Sequence, residues 1–217
     1  MMLTWLGHAT FKIKTKDGKR IYIDPYVEPH AGLWSRLEPA ELVLISHWHP
    51  DHASIETINK IRLDNTTIYG TREAAAEIDG CMQLVAGQEI SLGWVVVKAI
   101  PAYTPRRPSH RLAGFVVGFV LELENKRIYY ASDTEVIPEM QALGKIDLAI
   151  FPIGGTYTMS AIEAARATEL IKPSIAIPSH WGKLEGTIDD AERFKELVEA
   201  RLETKVIVMA EGESIEV

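Results

Sequence analysis

The sequence predicts a mixed α+β protein that forms a single domain over residues 1–217. Short, partly β-branched apolar runs such as Leu42–Ile45 are typical of strands, and they outnumber the segments with helical periodicity. A chain of 217 residues is long enough to bury a substantial core and fits one domain. The run at 42–45 leads directly into a cluster of histidines, which directs attention to metal chemistry.

Composition and charge are those of an ordinary globular protein. Hydrophobic residues make up 47% and charged residues 24%, and the formal net charge is −7. An acidic chain gains no long-range attraction to phosphate backbones, so nucleic-acid binding is disfavoured. The single cysteine, Cys81, excludes an intrachain disulfide. There is no basic and apolar leader, and no apolar run approaches the ~20 residues of a membrane helix, so we expect a cytoplasmic protein without membrane contact.

The first part of the chain predicts a meander of strands followed by a loop. Strands are expected at 3–5, 11–15 and 20–23, and Asp17-Gly18 suits the positive φ of the hairpin between the last two. Residues 26–40 contain prolines and predict a loop that could act as a flap, with Trp34 and Leu37 exposed. His30 lies in this loop, and we assign it no role.

Strands and helices then follow to the end of the chain. Further strands are expected at 66–69, 82–85, 89–92, 94–100, 115–123, 126–130, 147–152, 174–178, 205–210 and 214–217, the last two closing the second sheet. Helices are expected at 54–61, 71–78, 136–143, 161–171 and 189–202. Thr71 and Thr134 are placed to cap the second and third helices, and Ser160 and Glu163 have capping-box spacing before the fourth. Three prolines exclude a central strand from 101–111, so this segment is expected to project.

Three imidazoles and one carboxylate lie within residues 47–52. Alternation along an extended chain puts His47 and His49 on one side, while Asp51 and His52 turn away beyond Pro50. Two imidazoles that face the same way can hold one divalent ion, and the Asp-His pair can hold a second. The alternative is a histidine-rich surface loop without metal. It is disfavoured because a chain with seven histidines would rarely place three of them here by chance.

The pattern His-x-His-x-Asp-His resembles the signature of the metallo-β-lactamase superfamily. This resemblance implies a four-layer αββα sandwich that carries one or two metal ions. The segments Trp-Leu-Gly-His-Ala-Thr-Phe and Tyr-Ile-Asp-Pro-Tyr look like the opening segments of the branch that contains the L-ascorbate-6-phosphate lactonases, where both line the metal site. The resemblance implies that Asp24 fixes the tautomer of a metal-bound histidine and that His8 faces substrate or transfers a proton. Taken alone, both are ordinary turn residues.

The same resemblance implies the later metal ligands. His110 follows Pro-Ala-Tyr in the place of the third histidine of the first metal, and His180 precedes a glycine turn in the place of the final ligand. Asp133 stands where a bridging carboxylate belongs, after Ser132, where the common form of the family has glycine; a helix N-cap is the alternative role for Asp133. The implied ligands are His47, His49 and His110 for one ion, Asp51, His52 and His180 for the other, and Asp133 between them.

Two such ions can hold a hydroxide between them and lower the pKa of water toward neutrality. Several imidazoles with few carboxylates favour zinc, although manganese and iron are compatible with nitrogen and oxygen ligands. The expected catalytic residues are Asp133 as the bridge, with Asp51 or His8 as proton donors to the leaving group, a metal-bound water being the alternative donor. The sequence has no phosphate-cradling glycine motif and no nucleophilic serine elbow.

Candidate substrate residues lie in two loops. Arg106, Arg107 and Arg111 form the most basic stretch of the chain beside His110, and guanidinium groups suit carboxylate or phosphate. A solvated surface is the alternative interpretation of this stretch. Tyr157 follows a Gly-Gly turn that lets backbone amides approach the site, and it is either a phenol that contacts substrate or a core residue.

We therefore expect a binuclear metal-dependent hydrolase of a small anionic substrate, with a lactone or other carbonyl ester favoured over a phosphodiester. One alternative is a phosphodiesterase or RNA-processing nuclease of the same fold, which the acidic charge and the lack of a basic arm disfavour. Another is a non-catalytic metal-binding scaffold, which a missing ligand would indicate. A di-iron redox role lacks a flavin-binding segment, and a secreted β-lactamase would need a signal peptide. The sequence leaves open whether the protein forms a homo-oligomer.

Overall fold

The computed structural model describes residues 1–29, 32–107, 109–110 and 114–217. Within these ranges the strands form two seven-stranded sheets. The chain divides into two compact units, Met1–Val85 with Met209–Val217 and Ala86–Val208, and each unit contains one sheet. His30 and Arg111 lie outside the described residues. The prediction of a single domain therefore stays a prediction.

The first unit is built on a mixed sheet with strand order β14-β1-β2-β3-β4-β5-β6. Strands β14 and β1 to β3 pair antiparallel, whereas β3 to β6 pair parallel. All four side chains of β4 are buried, as expected for a strand between two parallel neighbours. The elements are β1 (Met2–Trp5), β2 (Phe11–Lys14), β3 (Arg20–Ile23), β4 (Leu42–Ile45), α1 (Ile55–Ile61), β5 (Thr67–Gly70), α2 (Arg72–Glu77), β6 (Cys81–Gln83) and β14 (Ser214–Glu216).

The second unit repeats this scheme with strand order β13-β12-β11-β10-β9-β8-β7. Here β7 to β10 pair antiparallel and β10 to β13 pair parallel. The elements are β7 (Glu89–Ser91), β8 (Val96–Ala102), β9 (Val116–Leu123), β10 (Lys126–Tyr130), β11 (Leu148–Pro152), α3 (Ala161–Ile171), β12 (Ile175–Ser179), α4 (Ile188–Glu199) and β13 (Lys205–Val206). Short 3₁₀ helices span Trp34–Arg36 in the first unit and Pro138–Ala142 in the second.

Each unit has its own hydrophobic core, which the apolar faces of its helices complete. In the first unit, Ile58 and Ile61 of α1 pack with Val43 and Ile45 of β4. In the second, the rings of Phe151 and Phe194 meet edge to face with centroids 6.3 Å apart, which joins β11 to α4. No helix in the described ranges is both long and apolar enough to cross a membrane.

The predicted elements are confirmed for most of the chain. Helix α3 spans the predicted 161–171, and its capping box between Ser160 and Glu163 is present. Thr71 is the N-cap residue of α2, although its hydroxyl makes no capping hydrogen bond. The predicted helix at 136–143 is instead the 3₁₀ helix Pro138–Ala142.

Thr134 does not cap that helix, because the residue before Pro138 is extended and the helix begins only at the proline. The Thr134 hydroxyl instead donates to the carbonyl of Tyr103. The expectation that residues 214–217 close the second sheet is wrong as well. Strand β14 pairs with β1, with Ile215 opposite Leu3, so the C-terminal strand belongs to the sheet of the first unit.

Two loop predictions also need correction. Strand β8 continues through Pro101 to Ala102, whereas the prolines predicted a projecting loop from residue 101. Strand β7 pairs with β8 only as far as Lys98, so Pro101 lies on a free edge where its missing N–H leaves no ladder bond unmade. Leu37 is buried rather than exposed, and Trp34 is partly buried, because both pack on the core of the first unit.

Candidate metal centre

Two turns of the first unit hold His8 and Asp24 in fixed positions. The Trp5 indole N–H donates to the His8 carbonyl at 2.9 Å, and the Thr10 hydroxyl donates to the Asp24 carbonyl at 2.7 Å. His8 and Asp24 both have left-handed backbone conformations, with φ of 49° and 47°. Such conformations cost energy for residues other than glycine and are concentrated at functional sites. Both turn residues are therefore candidates for more than turn formation.

Asp24 is fully buried and accepts three hydrogen bonds. The Ser46 amide donates to it at 2.6 Å, the Ser46 hydroxyl at 2.5 Å, and Nδ1 of His52 at 2.8 Å. A carboxylate can only accept, so Nδ1 of His52 carries the proton and Nε2 presents the lone pair. This is the contact with a histidine that the resemblance implied for Asp24.

The histidines that follow β4 converge within the first unit. Nε2 of His47 lies 3.2 Å from Nδ1 of His49, and the rings of His47 and His52 have centroids 4.0 Å apart. Zinc–nitrogen distances of about 2.0–2.1 Å in a tetrahedral site would put two ligand nitrogens about 3.3 Å apart. The spacing of the His47 and His49 nitrogens therefore fits two ligands of one ion, as the alternation of the sequence predicted.

Asp51 lies between His8 and His52. Its Oδ2 is 3.0 Å from Nε2 of His8 and 3.7 Å from Nε2 of His52. His8 is only 1% exposed, so its ring is directed to Asp51 rather than to solvent. The role of His8 in substrate contact or proton transfer stays a prediction.

In the second unit, Asp133 directs one carboxylate oxygen to each of two histidines. Oδ1 lies 3.3 Å from Nε2 of His180, and Oδ2 lies 3.9 Å from Nδ1 of His110. This arrangement suits a carboxylate that bridges two ions. Ser132 has φ of 59°, which explains why glycine suits this position in the common form of the family.

The predicted substrate arginines are both paired with acidic residues. Nε of Arg106 lies 2.7 Å from Oε2 of Glu135, and Nη1 of Arg107 lies 2.9 Å from Oε1 of the same carboxylate. Both arginines also pair with Glu163, at 2.8 and 2.6 Å. Two guanidinium groups facing two carboxylates leave no net positive charge in this group. The four residues tie the 103–107 segment to the start of α3.

Tyr157 is 48% exposed, which excludes the core role. Its backbone amide and that of Thr156 both donate to Oε2 of Glu185 at 2.9 Å. These two amides, which follow the Gly-Gly turn, are thus bonded within the protein, although the sequence had suggested that backbone amides approach the site here. The role of the Tyr157 side chain as a substrate contact stays a prediction.

Glu185 is a residue that sequence reasoning missed. Its Oε1 lies 2.8 Å from Nδ1 of His180 and accepts a hydrogen bond from the Thr158 hydroxyl at 3.1 Å. Burial raises the pKa of the carboxyl, but the hydrogen bonds from His180 and the Tyr157 amide outweigh it, so the net pKa lies below its usual range. The only sequence signal was a carboxylate five residues after the predicted ligand His180.

The donor sets of the first unit fit divalent metal ions. In the first unit Asp24, His47 and His52 offer donor atoms within 4.8 Å of one another, and so do His8, Asp51 and His52. Imidazole nitrogens with a few carboxylate oxygens suit zinc and also suit manganese or iron. The structure therefore supports metal binding by the histidine motif of the first unit.

Comparison with known proteins defines the class. The profile of the family described as the β-lactamase superfamily domain matches residues 2–180. The chain is also similar to the metallo-β-lactamase fold protein YhfI of Bacillus subtilis, with a TM-score of 0.74, 14% identity, and coverage of 99% of this chain and 98% of that one. The chain therefore belongs to the metallo-β-lactamase superfamily and has its fold, as the histidine motif and the α+β pattern predicted.

Relatives at full length narrow the class further. A UPF0173 metal-dependent hydrolase of Methanopyrus kandleri is 32% identical, with the alignment covering 100% of both chains. The solved structure of Igni18, a metallo hydrolase from Ignicoccus hospitalis, has a TM-score of 0.83 and 26% identity, covering 99% of this chain and 97% of that one. This protein is thus a metal-dependent hydrolase of the UPF0173 kind.

Proposed function

We propose that the protein is a binuclear hydrolase that cleaves a lactone or other carbonyl ester in a small anionic substrate. The observation that carries the proposal is Asp133, whose two oxygens are directed to different histidines, His110 and His180. A carboxylate in this position suits a bridge between two ions. The lactone preference rests on the resemblance of the opening segments to the ascorbate-6-phosphate lactonase branch.

The proposed ligands are His47, His49 and His110 for one ion, Asp51, His52 and His180 for the other, and Asp133 for both. When bound, two such ions lower the pKa of a shared water, supply a hydroxide nucleophile and polarise the oxygen of the electrophile. Zinc is the proposed metal because nitrogen donors predominate. Asp24 holds the Nδ1 proton of His52, which leaves Nε2 available as a ligand atom.

Asp51 and His8 form the proposed proton path to the leaving group. Oδ2 of Asp51 and Nε2 of His8 are 3.0 Å apart, so a proton can move between them directly. Burial of His8 keeps its end of this path out of bulk water, whereas Asp51 is partly exposed. Glu135 and Glu163 neutralise Arg106 and Arg107, so an anionic substrate would meet no net positive charge from this group.

The test is hydrolysis of two chromogenic probes, a lactone or ester and a phosphodiester, by protein reconstituted with zinc, manganese or iron(II). We expect metal-dependent turnover of the carbonyl probe that Asp133→Ala abolishes. Turnover of the phosphodiester alone would shift the function to a phosphodiesterase. Protein that binds two metal ions but cleaves neither probe would go next to a library of lactones and esters; failure there would favour a non-catalytic metal-binding role.

A further inference from the structure

The second unit contains a buried carboxylate, Glu185, to which neither the motif nor the proposed reaction gives a role. The residue is 9% exposed, and both carboxylate oxygens are engaged. Oε2 accepts from the amides of Thr156 and Tyr157, while Oε1 accepts from the Thr158 hydroxyl and faces Nδ1 of His180 at 2.8 Å. Burying a carboxylate is costly unless such bonds hold it. These contacts hold the Glu185 carboxylate in place within the second unit.

The backbone of Gly154 leaves room for the Glu185 carboxylate. A Cβ at position 154 would lie 2.0 Å from Oε1 of Glu185, well inside van der Waals contact. Gly154 is not among the residues with positive φ, so the close approach of the carboxylate, rather than backbone conformation, requires glycine here. Any larger residue would push Oε1 away from its partners.

The position of this carboxylate decides which nitrogen of His180 carries a proton. Two carboxylates flank the ring, Glu185 at 2.8 Å from Nδ1 and Asp133 at 3.3 Å from Nε2, and each can only accept, so the single proton of the neutral ring is expected on Nδ1, where the contact is shorter. The neutral ring then has its lone pair on Nε2, the nitrogen that faces Oδ1 of Asp133 at 3.3 Å. That nitrogen is the one proposed to bind metal.

We propose that Glu185 is a positioning residue that holds His180 in the tautomer and ring orientation needed for Nε2 to bind a metal ion. It also fixes the 154–158 turn that carries Tyr157, so one carboxylate aligns a metal ligand and a substrate-contact loop. The inference rests on the proposed function for its use of His180 as a ligand. The tautomer itself does not depend on that function.

The first test is the tautomer of His180 in the metal-free protein, read from nitrogen–proton correlation NMR of protein labelled with ¹⁵N-histidine. The His180 signal is assigned by its absence in His180→Asn, and spectra cover a pH range in which the neutral ring is observed. We expect Nδ1–H in the wild type. Glu185→Gln and Gly154→Ala should lose this preference, the first by removing the charge and the second by displacing it. A wild-type ring protonated only at Nε2 would overturn the proposal.

The second test is metal affinity, measured by competition with a chelator. We expect Glu185→Gln and Gly154→Ala to weaken binding by about 10- to 100-fold, the usual effect of removing the hydrogen-bond partner of a ligand. Asp190→Asn is the control. Asp190 lies five residues after Glu185 in sequence, and its carboxylate accepts a hydrogen bond from the Thr187 amide at the start of α4. This substitution should lower stability without changing the tautomer or the affinity.

Unchanged tautomer and affinity in both Gly154→Ala and Glu185→Gln would contradict the role of Glu185. Should Glu185→Gln fail to fold, Gly154→Ala and the wild-type spectrum still decide. One further outcome separates the two proposals. If the wild type has the Nδ1–H tautomer, the variants lose it, and the wild type binds no metal, the positioning role is supported and the proposed function is contradicted.

Discussion

Two histidines each face one buried carboxylate through Nδ1, and that contact sets the orientation of the ring. Asp24 faces Nδ1 of His52 and Glu185 faces Nδ1 of His180, each at 2.8 Å, and each contact lies within one unit. The opening Tyr-Ile-Asp-Pro-Tyr segment made Asp24 predictable by resemblance. Glu185 was not predictable, because its role depends on a close approach to Gly154 that no local pattern encodes.

Asp24→Asn should weaken metal binding by about 10- to 100-fold, because the amide can no longer hold the Nδ1 proton of His52 as a carboxylate does. Chelator competition measures the change. The exposed Asp64→Asn serves as the control for the loss of one negative charge. Equal affinities of the wild type and Asp24→Asn would show that Asp24 supports only the fold.

Ser132→Gly should stabilise the protein by about 1 kcal/mol, since a left-handed conformation is strained for any residue with a Cβ. Ser132 has φ of 59°, and its buried hydroxyl has no hydrogen-bond partner in the described part of the chain. Urea unfolding measures the difference. Ser132→Ala removes the hydroxyl but keeps the Cβ, so it should gain less than glycine. A glycine variant less stable than the alanine variant would contradict this explanation.

Charged side chains connect strands and loops that are distant in sequence. Glu38, in the loop before β4, pairs with Lys12 and Lys14 of β2 at 2.9 and 3.2 Å. The hydrogen bond from Lys12 lowers the pKa of Glu38 most, and the value falls from 4.5 to about 2 despite some desolvation. A lowered folded-state pKa means that the contribution to stability is complete above 4.5 and disappears as the pH falls through about 2.

Glu38→Gln should therefore lower the free energy of unfolding at pH 7 by about 1 kcal/mol, a small value because the side chain is partly exposed and screened. The difference from the wild type should shrink below pH 4.5 and vanish near pH 2. Denaturation at a series of pH values measures it, with the exposed Glu56→Gln as a control. A difference that stays constant down to pH 2 would rule out the ion pairs as its cause.

The arginines beside His110 pair with a carboxylate that is distant from them in sequence. The basic stretch predicted an anion clamp, but the buried Glu135 holds both Arg106 and Arg107. Glu135 is 28 residues further along the chain than Arg107, and no local pattern indicates that the two residues pair. The pairing makes structural support of the loop the first role of these arginines.

Arg107→Ala should lower the free energy of unfolding by about 2 kcal/mol, because hydrogen bonds to the buried carboxylate of Glu135 are lost. Comparison with Glu135→Gln and with the double variant Arg107→Ala/Glu135→Gln gives the coupling energy between the two residues, which should be well above zero.

The double variant Arg106→Ala/Arg107→Ala tests by kinetics whether the two arginines bind an anionic substrate. An unchanged KM for an anionic substrate would leave these arginines with a structural role only.

Strand and helix positions were largely predictable, because apolar periodicity and caps are local signals. The strand at 42–45 and the helix at 161–171 appear where their sequences predicted them. The partner of β14 was not predictable, since its pairing with β1 joins the two ends of the chain. The prediction of a loop from residue 101 was wrong for a similar reason. A proline is acceptable on the free edge of a strand, and edge position is a property of the whole sheet.

The protein is a metal-dependent hydrolase of the metallo-β-lactamase fold, and its first unit carries histidine and aspartate clusters suited to metal ions. The fold and the family were predictable because the histidine motif and the later ligands occur in matching order along most of the chain. The substrate was not predictable, because the segments 26–40 and 101–111 carry no motif that identifies a particular ligand.

The number of metal ions bound per chain tests the proposed binuclear site directly. Protein dialysed against zinc, then freed of unbound metal, is analysed by elemental and native mass spectrometry. We predict two ions per wild-type chain and fewer in Asp133→Ala, which lacks the proposed bridge. One ion per wild-type chain would contradict the binuclear site, and a wild-type chain that binds none would contradict the metal centre as a whole.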